Sequence, residues 1–209
     1  MRPVSVIFDK FRSDERGTMA IELLLAVPVL TWILMSTFVY FDLFRNEANA
    51  HRAALTVADM FSREQTPIDN AYLDGARSLL RTITLDDPDP TYRLTVYRYQ
   101  DSDKTYRVVW SENRGLLPNL TDEVLETLDT AGRLPILADG DRSILLETRT
   151  VYSPPFDTGI HQLTNFFADQ PSDVKNEMGN TVFRTFTVIR PRFTPTLCWD
   201  MTPPQSDLC

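Results

Sequence analysis

The chain has 209 residues, of which 43% are hydrophobic, with a net charge of -8 and an isoelectric point near 4.8. This length suits a membrane segment plus one compact domain, and the hydrophobic content argues against disorder over most of the chain. An acidic surface repels phosphate backbones, and there is no basic stripe with interleaved aromatic residues, so the composition argues against nucleic-acid binding.

A charge-free apolar block of nineteen residues extends from Leu23 to Phe41. A helix of this length crosses a hydrocarbon core about 30 Å thick. Glu22 lies directly before the block, and an ionisable group there is costly, which indicates a partner or a task. We therefore predict a cytoplasmic leader over residues 1–17, a transmembrane helix over residues 18–44 and an external domain over residues 45–209.

The basic residues predict the orientation of this segment. Four of them precede the apolar block, whereas the first twenty residues beyond it contain only Arg45 and Arg52. Basic residues stay on the cytoplasmic side, so the domain should lie in the periplasm of a bacterium, anchored in the inner membrane. A cleaved secretory signal is the alternative, but the apolar block exceeds the usual core of about 7–15 residues.

The helical pattern continues past the apolar block and predicts one helix from about Thr18 to Arg63. Pro28 lies inside it and should kink it, because proline removes one backbone hydrogen bond. The spacing beyond the block predicts an apolar stripe made of Phe44, Ala48, His51, Leu55 and Ala58, with Val57 and Phe61 beside it.

A second helix is predicted to begin at Thr66 as N-cap and Pro67 as first helical residue. Beyond residue 90 the period changes to two, which predicts strands around 92–96 and 106–110 with a hairpin connection at 101–103. A short helix over 121–130 and strands over 143–152 and 181–189 follow. Helices followed by hairpin-connected strands predict an α+β domain with an antiparallel sheet.

The two cysteines, Cys198 and Cys209, are too few for a structural zinc site. In an oxidising compartment we expect a disulfide between them, which would close the C-terminal loop and contribute about 3 kcal/mol. Two unrelated buried thiols are the alternative.

The sequence contains no recognisable catalytic motif. The two histidines, His51 and His161, are far apart in sequence, and a lone histidine is usually packed or solvated. The acidic clusters 86–89 and 139–141 do not continue as a twelve-residue calcium loop, which favours ordinary turns. We therefore expect no catalytic residue, no metal and no cofactor, hence a non-enzymatic protein.

The junction before the apolar block can be interpreted as a processing site. Gly17 offers an unhindered backbone to a protease, and cleavage after it makes Thr18 the new amino terminus with Glu22 as the fifth residue. An ammonium group at a helix N-terminus is unfavourable, and a carboxylate of the same or a neighbouring subunit can offset its charge. The alternative is that Glu22 only marks the membrane boundary and extends to the headgroups.

These residues carry a resemblance to a known family. With Gly17, Glu22 five residues on and Pro28 six further, residues 11–45 resemble the TadE-like segment of tight-adherence (Flp, type IV-related) pilus systems. The resemblance implies a pilin-like inner-membrane pseudopilin that acts in pilus assembly and surface adhesion. It also implies cleavage between Gly17 and Thr18 by a dedicated aspartyl prepilin peptidase, with Glu22 as the assembly carboxylate. The implied partners are that peptidase and other pilins and pseudopilins.

The chain departs from the major Flp pilins in two ways. Those pilins carry tyrosine after the glutamate and are very short, whereas here Leu23 follows and a large domain is attached. This difference indicates a minor component, and TadE, TadF or a related member all remain open. An uncleaved, membrane-anchored periplasmic scaffold or binding protein is the second hypothesis, and an anchored hydrolase is the third.

Overall fold

The computed structural model describes residues 18–85, 89–156 and 181–200. Seven helices and strands occur in these residues: α1 (Thr18–Arg63), α2 (Asn70–Thr84), β1 (Thr91–Gln100), β2 (Thr105–Arg114), α3 (Asp122–Thr130), β3 (Arg142–Tyr152) and β4 (Thr181–Ile189). The predicted α+β class, with a long apolar N-terminal helix followed by an antiparallel sheet, is confirmed.

Helix α1 is continuous over 46 residues and has the predicted bounds. Every residue from Met19 to Met35 is exposed, although most of these side chains are apolar. Among the described residues, α1 is the one helix that is long and apolar enough to cross a membrane. Pro28 lies inside the helix, and the kink expected there stays a prediction.

The buried face of the second half of α1 agrees with the predicted stripe only in part: Ala58, with Val57 and Phe61 beside it, is buried as predicted, but Ala48 is exposed. Phe44, His51 and Leu55 are exposed, whereas the residues that lie in the core are Ala50, Ala53, Ala54, Val57, Ala58 and Phe61. Four of these six are alanine, and small side chains let a helix approach its neighbours closely. The bulky residues of the predicted stripe therefore point outward.

The predicted start of α2 is wrong by three residues. Asp69 is the N-cap, and its Oδ1 accepts a hydrogen bond of 2.8 Å from the backbone N–H of Tyr72. Thr66 instead donates its hydroxyl to Glu64 at 2.7 Å. Ile68 cannot join the helix because its backbone pairs with the C-terminal segment at Trp199.

The four strands form one antiparallel sheet in the order β2-β1-β3-β4. The predicted hairpin between β1 and β2 is confirmed. One face of the sheet packs Leu94, Val96 and Leu146 against α1 and α2. The other face packs Tyr97 and Leu145 against α3 and its flanking loops.

Helix α1 lies alongside β3 and β4. Its Asp42 contacts Tyr152 at the end of β3, and the carbonyl of Ser62 accepts a 2.8 Å hydrogen bond from the N–H of Arg192, just after β4. About 30 Å of helix separates these two contacts. We call the end of the sheet at Tyr152 and Thr181 the proximal end, because it adjoins the apolar half of α1, and the end at Gln100 the distal end.

Cys198 lies near α2, where its carbonyl accepts a 3.0 Å hydrogen bond from the N–H of Ile68. Its sulfur is disulfide-bonded. The predicted partner, Cys209, lies outside the described residues.

Candidate processing and assembly site

The predicted cleavage position falls at the start of α1. Gly17 lies outside the described residues, and Thr18 is the first residue of the helix. Glu22 follows one turn later, about 6 Å along the helix axis. Glu22 therefore lies just beyond the first turn, which contains no acidic residue.

The side chain of Glu22 is exposed, and within the part of the chain that the structure describes it has no hydrogen bond or ion pair. Its neighbours along the helix are apolar and also exposed, including Met19 at 82% and Leu23 at 65%. In a membrane, a charged group at this position costs up to about 3 kcal/mol without a partner. Among the described residues, the carboxylate of Glu22 therefore has no cationic partner.

A second feature joins the apolar helix to the domain. The phenol of Tyr152 donates a hydrogen bond of 2.8 Å to Oδ2 of Asp42, the first charged residue after the apolar block. The ring of Tyr152 packs against Phe183 with centroids 6.1 Å apart. Burial, together with the neighbouring Asp42 carboxylate, raises the pKa of Tyr152. Sequence reasoning missed this contact, because its only local signal is an acid directly after the span.

Clusters of metal-binding side chains are absent from residues 18–85, 89–156 and 181–200. No group of three or more His, Cys, Asp or Glu side chains there could hold a metal ion. His51 is exposed on α1, and His161 lies outside the described residues.

The acidic turn at residues 139–141 has structural roles. Asp139 accepts a 2.8 Å hydrogen bond from the N–H of Asp101, and Asp141 pairs with Arg190 at 3.3 Å. Of the other cluster, Asp89 pairs with Arg81 at 2.9 Å, and residues 86–88 lie outside the described residues. The predicted turn is present at residues 139–140, and the prediction for residues 86–89 stays a prediction.

No family model, curated protein or solved structure matches the chain. Its function is therefore argued from the residues and the geometry described above.

Proposed function

We propose that this chain is a minor pseudopilin of a tight-adherence (Flp, type IV-related) pilus, processed between Gly17 and Thr18. It is held in the bacterial inner membrane with its domain in the periplasm, and it takes part in pilus assembly and surface adhesion. The observation that carries the proposal is the exposed apolar half of α1, with Glu22 one turn from its start and without a partner among the described residues. The residue spacing that resembles the TadE-like segment supports it independently.

The way α1 joins the domain favours helix-mediated assembly. The alanine-rich half of the helix, from Ala50 to Phe61, is part of the domain core, whereas the half from Met19 to Met35 is exposed. An apolar helix that projects from a folded domain is stable only in lipid or packed against similar helices. It can thus exchange lipid neighbours for other pilin helices without unfolding the domain.

Processing would control this exchange. Cleavage after Gly17 creates an ammonium group on Thr18. This ammonium group can form an ion pair with the carboxylate of Glu22 in a neighbouring subunit. Before cleavage that ammonium is absent, so a staggered arrangement of subunits lacks its ion pair. The prepilin peptidase and the other pilins and pseudopilins are the partners in this scheme, and the chain itself needs no cofactor and catalyses no reaction.

The second candidate is an uncleaved, membrane-anchored scaffold or binding protein of the periplasm. The hydrogen bond between Tyr152 and Asp42 supports it, because this contact holds the domain at the end of the anchor, as a permanently anchored protein requires.

N-terminal sequencing of the protein purified from the membrane fraction separates the two candidates. A mature chain that starts at Thr18 supports the pseudopilin. An intact Met1 in cells that produce functional pili would eliminate the processing step and leave the scaffold.

A further inference from the structure

The proximal end of the domain faces the membrane if α1 is inserted as proposed above. The apolar block ends at Phe41, and the hydrogen bond from Tyr152 reaches the next residue, Asp42. The polar headgroup zone extends about 5–7 Å beyond the hydrocarbon on each side. Tyr152, the last residue of β3, therefore lies at the depth of the headgroups.

Aromatic side chains gather at this level. On α1, the rings of Tyr40 and Phe44 meet edge to face at 4.8 Å, and in the sheet Tyr152 packs against Phe183. Phe156, four residues beyond Tyr152, is 49% exposed. Aromatic residues are enriched at the membrane–water interface, where an apolar ring and a polar edge are both satisfied.

Two arginines lie near the same end of β3 and β4, on the face of the sheet opposite these aromatic residues. Arg149 of β3 is directly opposite Arg184 of β4. Like charges in this arrangement destabilise a sheet. In the part of the chain that the structure describes, neither guanidinium has a hydrogen bond or an ion pair. This cost is offset if an anion from outside the chain binds between them.

Arg149 also lines a cleft of about 620 Å³ at the proximal end, together with Arg77 and Arg81. Of the described residues that line it, Asp89 carries the one negative charge, and it pairs with Arg81. The described lining is thus basic in a chain with a net charge of -8.

The distal end contains a similar arginine pair in a different setting. Arg98 lies opposite Arg107, but Arg107 pairs with Asp122 at 3.3 Å and with Asp103 at 3.7 Å. Ile136, which adjoins the distal strands through the carbonyl of Pro135, is 93% exposed. The distal end therefore provides matched controls for both the arginines and the exposed apolar side chain.

We propose that the proximal end of the domain is a lipid-contact surface. Phe156 and Phe183 lie in the interfacial zone, and Arg149 and Arg184 bind the phosphates of anionic lipid headgroups. Guanidinium groups suit this role because they remain charged and bind phosphate through two parallel hydrogen bonds. The proposal depends on insertion of α1 and does not depend on cleavage after Gly17.

A reporter placed at each end tests the contact in the full chain. A fluorescent noncanonical amino acid replaces Phe156 or, as control, Ile136, and each protein is reconstituted into phosphatidylcholine vesicles with or without phosphatidylglycerol. At position 156 we expect the emission to shift to the blue and to be quenched by lipids that carry a quencher near the headgroup. At position 136 we expect neither the shift nor the quenching. Equal quenching at both positions, or at neither, would overturn the proposal.

The arginines are tested with the reporter at position 156. In the parent protein, phosphatidylglycerol should increase the quenching. The double variant Arg149→Gln/Arg184→Gln should lose this increase, because each arginine near an anionic surface favours contact by about fivefold. The control variant Arg98→Gln/Arg107→Gln removes the same amount of charge at the distal end. It should retain the increase in quenching that phosphatidylglycerol causes. If the first variant responds to phosphatidylglycerol as the parent does, the arginines do not bind lipid.

Further measurements keep this result separate from the proposed function. Alkaline carbonate extraction establishes that each variant is inserted, and circular dichroism establishes that its domain is folded. N-terminal sequencing reports on cleavage independently. A response to inorganic phosphate in phosphatidylcholine vesicles, with none to phosphatidylglycerol, would assign the arginines to a soluble anion and reject the lipid contact.

Discussion

Tyr152 and Asp42 are separated by 110 positions in the chain and joined by one hydrogen bond of 2.8 Å. The donor is the last residue of β3, and the acceptor is the first charged residue after the apolar block of α1. This contact connects the exposed half of the helix to the folded domain. It places the Tyr152 end of the sheet beside the apolar half of α1.

Removing this hydrogen bond should weaken the domain without unfolding it. We expect Tyr152→Phe to lower the free energy of unfolding by about 1.5 kcal/mol, because the acceptor is a carboxylate that would lose its partner. Urea unfolding of the full chain in detergent, followed by circular dichroism, measures the change. Tyr40→Phe is the control, since no hydrogen bond of the Tyr40 hydroxyl occurs within the described residues, and its effect should be close to zero. Equal stability of the two variants would remove the energetic role of the contact.

The stability of the domain should fall at alkaline pH. Burial, with a smaller effect of the nearby Glu64, raises the pKa of Tyr72 from 10.0 to about 12. The folded state thus keeps the proton that the unfolded state releases, so this contribution is complete below pH 10 and is lost as the pH rises towards 12. Burial also raises the pKa of Tyr92 and Tyr97. Unfolding by urea across this range should give a decreasing free energy, and Tyr72→Phe should make the decrease less steep; a flat profile would contradict the expectation.

Substitution at the proposed cleavage position should block processing. In Gly17→Leu the bulky side chain restricts the backbone that the peptidase must bind, so the precursor should accumulate. A gel mobility shift and N-terminal sequencing detect it. Gly75→Leu is the matched control, because a Cβ at Gly75 in α2 meets no other atom within 4 Å, and it should be cut normally. Normal cutting of Gly17→Leu would place the site elsewhere.

Loss of the Glu22 carboxylate should separate processing from assembly. We expect Glu22→Ala to be cut normally and to reduce the number of pili strongly, because the subunit would lack the partner for an incoming ammonium group. Electron microscopy of cells counts the pili, and immunoblotting reports the processing. Glu47→Ala removes a carboxylate from the same helix beyond the apolar block and should leave piliation unchanged. Normal pili in Glu22→Ala would reduce Glu22 to a boundary residue.

The ion pair between Arg93 and Glu147 should contribute more to the free energy of unfolding than the ion pairs on the surface do. Their side chains are 10% and 20% exposed, and Arg93 also donates to the carbonyl of Pro118 at 2.7 Å. We expect Glu147→Gln to cost about 2 kcal/mol of unfolding free energy, because it leaves a largely buried guanidinium without its counter-charge. Asp103→Asn, which removes an exposed partner of Arg107, should cost less than about 0.5 kcal/mol. Equal losses in the two variants, measured by urea unfolding, would show that burial does not strengthen the pair.

Local patterns predicted most of the secondary structure. The bounds of α1 and β4 follow from apolar composition and from alternation, which depend on residues close in sequence. The start of α2 did not follow, since the backbone of Ile68 pairs with Trp199 more than 130 positions away. The buried face of α1 was predicted only in part, with Val57, Ala58 and Phe61 correct, because a close approach to the core selects alanine over the bulkier residues that define an apolar stripe.

The sequence by itself determined the apolar span, the position of Glu22 relative to Gly17 and the alternation of the strands, because composition and spacing carry this information directly. Only the tertiary structure decided that Tyr152 reaches Asp42 and that Arg149 lies opposite Arg184. Both relationships depend on strand register and on the packing of α1 against the sheet. Contacts between distant residues have no local periodicity from which they could be predicted.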